Sequence, residues 1–182
     1  MDHRMLSLDE IGQSVRNNLQ LIIDSQRLKL AVGPISDQDY RILTGGFGEL
    51  EWDVGLCDYG NDPNHFEFCV KLVKDAVEAV PSGVSLSVYG ITDRVFRIHM
   101  IERFNRDDKE HPLKGRMVLL TLMAAYLFCM AVEAVSVQIV EPVRELIEYY
   151  TSFGFVMTEC GYIMVADVVT LERAFEKFYE GV

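Results

Sequence analysis

"IVEPVRELIEYYTSFGFVMTECGYIMVADV", residues 139–168, carries the strongest fold signal in the chain. The stretch leaves an apolar run at Ile139, passes Pro142, and reaches an aromatic cluster ending in Gly154-Phe155. Tyr149 and Phe153 stand four apart and so share one face of a helix. Pro142 suits the first turn of that helix, where a missing N–H costs nothing, and Gly154 suits the position just past its end. "FVMTEC" and "YIMVADV" then read as two strands of a hairpin turning at Gly161. The aromatic density at 149–155 has two readings, packing at a helix end or chemistry, and both stay open at this point.

On either side of this unit, "AVSVQIV" before it is a strand and "TLERAFEKFYEGV" after it is a closing helix. The longest apolar run, Met117–Val132, is bounded by Arg116 and Glu133. It falls short of the ~20 residues needed to span a bilayer. A helix that is apolar on nearly all sides is buried against a sheet. "VSLSVYGITDRVFRIHMIERF" alternates on both sides of Thr92-Asp93, giving two antiparallel strands. "NRDDKEHPLKG" is a charged loop leading to the long helix. The second half is therefore two strands, a long helix, a strand, a helix and a hairpin. That alternation requires an α/β sheet with at least one parallel pair.

The first eighty residues are less regular. Ser7 with Glu10 forms a capping box ahead of a helix carrying Ile11, Val15, Leu19 and Ile22. "RLKLAVG" reads as a strand ending at Gly33-Pro34, and "SDQDYRIL" as a short capped helix. Glycines at 45, 46, 48, 55 and 60 mark a turning segment, with a strand expected over Glu51 to Cys57. Trp52, the single tryptophan, suits a packed loop anchor or a pocket wall. Phe66, Val70, Val73 and Val77 recur at helical spacing, so "DPNHFEFCVKLVKDAVEAV" is read as an amphipathic helix stopped by Pro81-Ser82-Gly83.

The chain has 182 residues, 49% of them hydrophobic and 25% charged, which fits one globular domain with a full core. The net charge of −11 argues against nucleic acid as the main partner and favours cationic ligands. Four cysteines, at 57, 69, 129 and 160, lack CxxC or zinc-ligand spacing, so no metal site is expected. Cys69 and Cys129 read as small hydrophobes in helical patterns. The opening residues lack a signal-peptide core, so a reducing cytoplasm and no membrane association are the expectation. No nucleophile elbow, P-loop, dinucleotide fingerprint or zinc-helix motif occurs.

The element order over about residues 84–168, with Tyr150, Gly154 and Phe155 as a Tyr-x-x-x-Gly-Phe motif, resembles the GNAT superfamily of acyl-CoA-dependent N-acyltransferases. The "YYTSFGF" ending is also similar to the vicinal-oxygen-chelate fold, but too little chain comes after it to complete that fold's metal-bearing sheet. The GNAT resemblance implies a mixed, mainly antiparallel sheet of about six or seven strands flanked by helices. It implies one domain over 1–182, with residues 1–80 a divergent N-terminal part. The implied activity is acyl transfer from acetyl-CoA or another acyl-CoA to an amine, most readily a cationic one. Tyr150 would protonate the departing thiolate, a phenol pKa near 10 making that transfer nearly balanced. Glu102 would be the general base. His99, three residues earlier, is placed by strand alternation on the opposite face from Glu102. Lys114, Gly115, Arg116, Met117 and Val118 would hold the pyrophosphate at the start of the long helix. Here the chain departs from the family pattern: one glycine, Gly115, stands where the family's loop has two. Val143 also stands where the family often has asparagine. The alternative implied by those departures is a GNAT-like binding or interaction module without catalysis. An apolar face on the closing helix and hairpin is compatible with homodimerisation.

Overall fold

The computed structural model describes residues 5–57, 62–74 and 80–180. Its frame is a seven-stranded sheet of order β1-β2-β3-β4-β5-β7-β6. The strands are β1 (Ala31–Gly33), β2 (His65–Val73), β3 (Gly83–Gly90), β4 (Val95–Arg103), β5 (Ser136–Val140), β6 (Val156–Met157) and β7 (Ile163–Asp167). All neighbours are antiparallel except β4 and β5. That parallel pair is bridged by α4 (Met117–Val132), as a parallel connection requires. The mixed, mainly antiparallel α/β architecture is the one expected from the sequence.

Two helices meet the first-half expectations. In α1 (Leu8–Ser25) and α2 (Asp37–Thr44), Ser7 with Glu10 and Ser36 with Asp39 form complete capping boxes. Each cap satisfies backbone donors that the first helical turn leaves without partners. Asp39 is buried and bonds the Lys71 ammonium at 2.6 Å, tying α2 to β2.

Two elements differ from expectation. Residues 65–73 form strand β2 rather than a helix. Phe66 and Val70 fit a helical repeat, but they also fit the alternation Phe66, Phe68, Val70, Leu72, and all four pack on one side of the sheet. A spacing of four is common to both periods, so only pairing with β3 decides between them. Cys69 is accordingly a buried strand residue, and Val77 lies outside the described residues. Conversely, the strand expected over Glu51 to Cys57 is a short helix, α3 (Trp52–Cys57). Trp52, Val54 and Leu56 alternate in sequence, yet Val54 is exposed while Trp52 and Leu56, four apart, are buried together.

The core lies on both sides of the sheet. On one side, α1 and α4 cover β2 to β5, with Phe128 inside a ring of Phe66, Phe68, Tyr89 and Phe96 at centroid distances of 5.0–5.9 Å. This is why α4 carries no charge between Arg116 and Glu133: helices and sheet enclose it. On the other side a smaller cluster of Leu43, Trp52, Leu56, Cys69, Val84 and Leu86 seats α2 and α3. Strand β3, between them, is buried along its whole length.

The last unit forms as its sequence reads, with one shift. A 3-10 turn over Arg144–Leu146 leads into α5 (Ile147–Ser152), so Pro142 precedes the helical segment instead of starting it. Gly154 has φ +94° and comes directly after the α5 cap residue, Phe153. Its missing Cβ matters twice, because a methyl there would also run into Thr170 at the start of α6 (Val168–Glu180). Gly161, φ +74°, turns the β6–β7 hairpin. No helix among the described residues is long and apolar enough to cross a membrane.

Candidate active site at the splay of β4 and β5

The parallel ladder between β4 and β5 runs from Val95–Ser136 to Ile98–Ile139 and stops. At that point β4 carries an irregularity against β3. Ile98 pairs Ser87 and Met100 pairs Leu86, so His99 is an extra residue in the β4 register. An insertion of this kind is a β-bulge, which bends a strand and redirects the residues beyond it. Its effect is visible in the side chains. Phe96 and Ile98 pack on the α4 side, whereas Met100 and Phe104 pack in the α2–α3 cluster and Ile101 returns to the α4 side. The strand leans away from β5, and the ladder between them does not resume beyond Ile98.

A cavity of about 530 Å³ opens in the splay. Ile98 to Ile101 of β4 form one wall and Ile139 to Val143 the other. Val118 of α4 and Tyr150 of α5 lie at one side, and Glu49 to Glu51 with Val54 and Gly55 at the opposite side. Side chains do not fill the splay; it remains open to solvent.

Tyr150 is 3% exposed and lines this cavity. Burial, with a smaller contribution from Tyr149, pushes its phenol up to about 12. It therefore carries its proton throughout the neutral range. Tyr149 and Phe153 supply the packing of the cluster, their rings 5.2 Å apart, and Phe153 reaches Phe175 of α6 at 5.5 Å.

The start of α4 has the features of an anion seat. Its first intrahelical bond is Leu120 N–H to the Arg116 carbonyl, and no side chain caps the N-terminus. The N–H groups of Met117, Val118 and Leu119 thus lack helical acceptors. Gly115 takes φ +71° with open space where a Cβ would be. Lys114 and Arg116 are exposed, and the Arg116 guanidinium donates to the Pro112 carbonyl at 2.9 Å. Met117 points into the core, and of the five residues only Val118 reaches the cavity lining.

Glu102 does not line the cavity. It is 3% exposed, and its carboxylate accepts from Glu49 N–H at 2.7 Å, Leu50 N–H at 3.1 Å and Trp52 Nε1–H at 2.8 Å. His99 does line the cavity, so the structure separates these two residues, and it brings His99 and Tyr150 to one space instead. The bulge, Glu141 and the lip at Glu49–Glu51 are parts of the site that sequence reasoning missed. A bulge leaves no residue-type signal, and the lip lies in the glycine-rich segment.

The fold is GNAT-like. AtaTR bound with acetyl-CoA superposes with a TM-score of 0.58 at 14% identity, over 81% of this chain and 98% of that one. AtaT complexed with acetyl-methionyl-tRNAfMet gives a TM-score of 0.55 at 12% identity, over 80% and 99%. The KacTA–DNA complex gives 0.53 at 14% identity, over 81% and 99%. No family model matches the sequence, and no curated protein matches it.

Proposed function

We propose that this chain is an acyl-CoA-dependent N-acyltransferase whose acceptor is a small cationic amine. The observation that carries the reading is the open cavity between β4 and β5, flanked by the uncapped start of α4 on one side and an acidic lip on the other. An interaction module without catalysis has no need to keep that splay open.

The N–H groups of Met117 to Leu119 and the open backbone at Gly115 fit a pyrophosphate, since helix N-termini concentrate donors and positive potential. Lys114 and Arg116 would add charge beside it. An acyl-CoA supplies the activated carbonyl. The chain's own part is to expose β4 backbone at the bulge toward that carbonyl, because donors placed where negative charge develops lower the barrier most. Tyr150 would hold a proton ready for the departing sulfur. With its phenol pushed to about 12, the transfer is less balanced than an ordinary phenol would make it, but the proton is always present.

Glu49, Glu51 and Glu141 on the lining support a cationic acceptor. Arg106, which also lines the cavity, is paired with Glu49 at 2.8 Å. Glu141 holds φ +51°, a left-handed conformation uncommon for a side-chain-bearing residue. AtaT, a fold neighbour, is complexed with an acylated tRNA. A polyanionic acceptor of that kind would meet carboxylates at this lip.

Calorimetric titration with acetyl-CoA tests the reading, alongside Gly115→Trp, which places bulk at the phosphate seat. Binding in the wild type that is lost in the variant is expected. No binding at millimolar acetyl-CoA would sink it.

A further inference from the structure

We infer that Glu102 is a positioning residue that fixes the acceptor wall of the cavity, residues 49–55, from behind. The wall's use by an acceptor rests on the acyltransferase reading above; its anchoring does not.

Little local structure holds this wall. Residues 45–51 carry no helix or strand, and α3 is six residues long, too short to be stable without tertiary support. Its support converges on one carboxylate. Three N–H groups from Glu49, Leu50 and Trp52 donate to Glu102. Gly48 lies against the same carboxylate and Phe104 so closely that no Cβ fits. Phe104 also packs on Phe47 at 5.0 Å and faces Trp52 at 6.2 Å.

The bulge at His99 is what puts Glu102 there. Without the extra residue, positions 98, 100 and 102 would share a face. With it, Ile98 stays on the α4 side, while Met100 and Phe104 pack in the α2–α3 cluster, where Glu102 meets Trp52 and the wall. One irregularity therefore both opens the splay and seats its acceptor side. A carboxylate engaged by three donors and turned away from the cavity is ill placed to take a proton from an amine inside it. A general base must lie within hydrogen-bond reach of the proton it removes.

Trp52 is the only tryptophan, so its fluorescence reports on this anchor directly. The test compares acrylamide quenching of Trp52 in the wild type, Glu102→Ala, Glu102→Gln and Gly48→Ala. Glu102→Ala leaves the buried Trp52 indole N–H and the two part-buried N–H groups of Glu49 and Leu50 without their acceptor, and Gly48→Ala dislodges the carboxylate from the wall side. Both are expected to raise quenching several-fold, with Glu102→Gln intermediate because its carbonyl still accepts. With acetyl-CoA and spermidine as probes, the variants are expected to raise the spermidine KM by about tenfold or more and change kcat by less than about threefold. Acetyl-CoA affinity by calorimetry should stay within about twofold, since the α4 start is untouched. Unchanged quenching in Glu102→Ala and Gly48→Ala would overturn the inference. So would a collapse of kcat with unchanged KM and loss of the acidic limb of the pH profile, which would make Glu102 the base. If Glu102→Ala does not fold, Glu102→Gln and Gly48→Ala decide. A wild type that neither binds acetyl-CoA nor acylates spermidine would defeat the acyltransferase reading, while quenching still decides the anchor.

Discussion

Tyr150 carries two separable consequences of one burial. Its phenol sits at about 12 in the folded chain, against about 10 when unfolded. Below pH 10 both states hold the proton and the full stability is present. Between 10 and 12 the unfolded state releases its proton first, so stability falls as pH rises, by roughly 2–3 kcal/mol over the two units. Urea titrations at pH 9 and 11 should show about half of this loss, roughly 1.4 kcal/mol, in the wild type and less of it in Tyr150→Phe. The chemical consequence is independent. If Tyr150 serves the departing thiolate, Tyr150→Phe should lower kcat by about 10²-fold or more with acetyl-CoA affinity unchanged. Equal loss of affinity and rate would make it a binding residue instead. At this scale the sequence was informative about Tyr150, because its position after an amphipathic run is local. It was uninformative about Glu102, whose role depends on donors fifty residues away.

Among elements, the strand–helix–hairpin unit from β5 to β7 behaves as its sequence reads, since its signals are a helix stop, a turn glycine and short-range alternation. Gly154 concentrates that logic: it needs positive φ and has no room for a Cβ beside Thr170. Gly154→Ala should therefore cost about 2 kcal/mol or more, read as a lower denaturant midpoint with unchanged slope. A loss below about 0.5 kcal/mol would mean the α5 end can relax. Elements β2 and α3 went the other way. In each, the sequence satisfied two periods at once, Phe66/Val70 within Phe66/Phe68/Val70/Leu72 and Trp52/Leu56 within Trp52/Val54/Leu56. Long-range partners, β3 for one and Glu102 with Leu86 and Phe104 for the other, chose between them.

Over the whole molecule the net charge of −11 acts as a field on any acceptor. A cationic amine drawn to the lip at Glu49, Glu51 and Glu141 should bind less well as salt rises, because these carboxylates are solvent-facing and screened. Raising ionic strength from about 0.05 to 0.5 M should increase the spermidine KM several-fold with little change in kcat. A KM that falls with salt would point to an anionic acceptor and overturn the cationic assignment.

Neighbours along the chain were enough to specify the capped helices, the buried length of α4 and the hairpin at Gly161, and with them the α/β class and the aromatic motif around Tyr150. Register between distant strands was left to the tertiary structure. The extra residue at His99 is the clearest case, because a bulge is a property of two strands and neither sequence contains it. That single offset parts β4 from β5, turns Glu102 away from the cavity and onto Trp52, and so determines which carboxylates face the cavity.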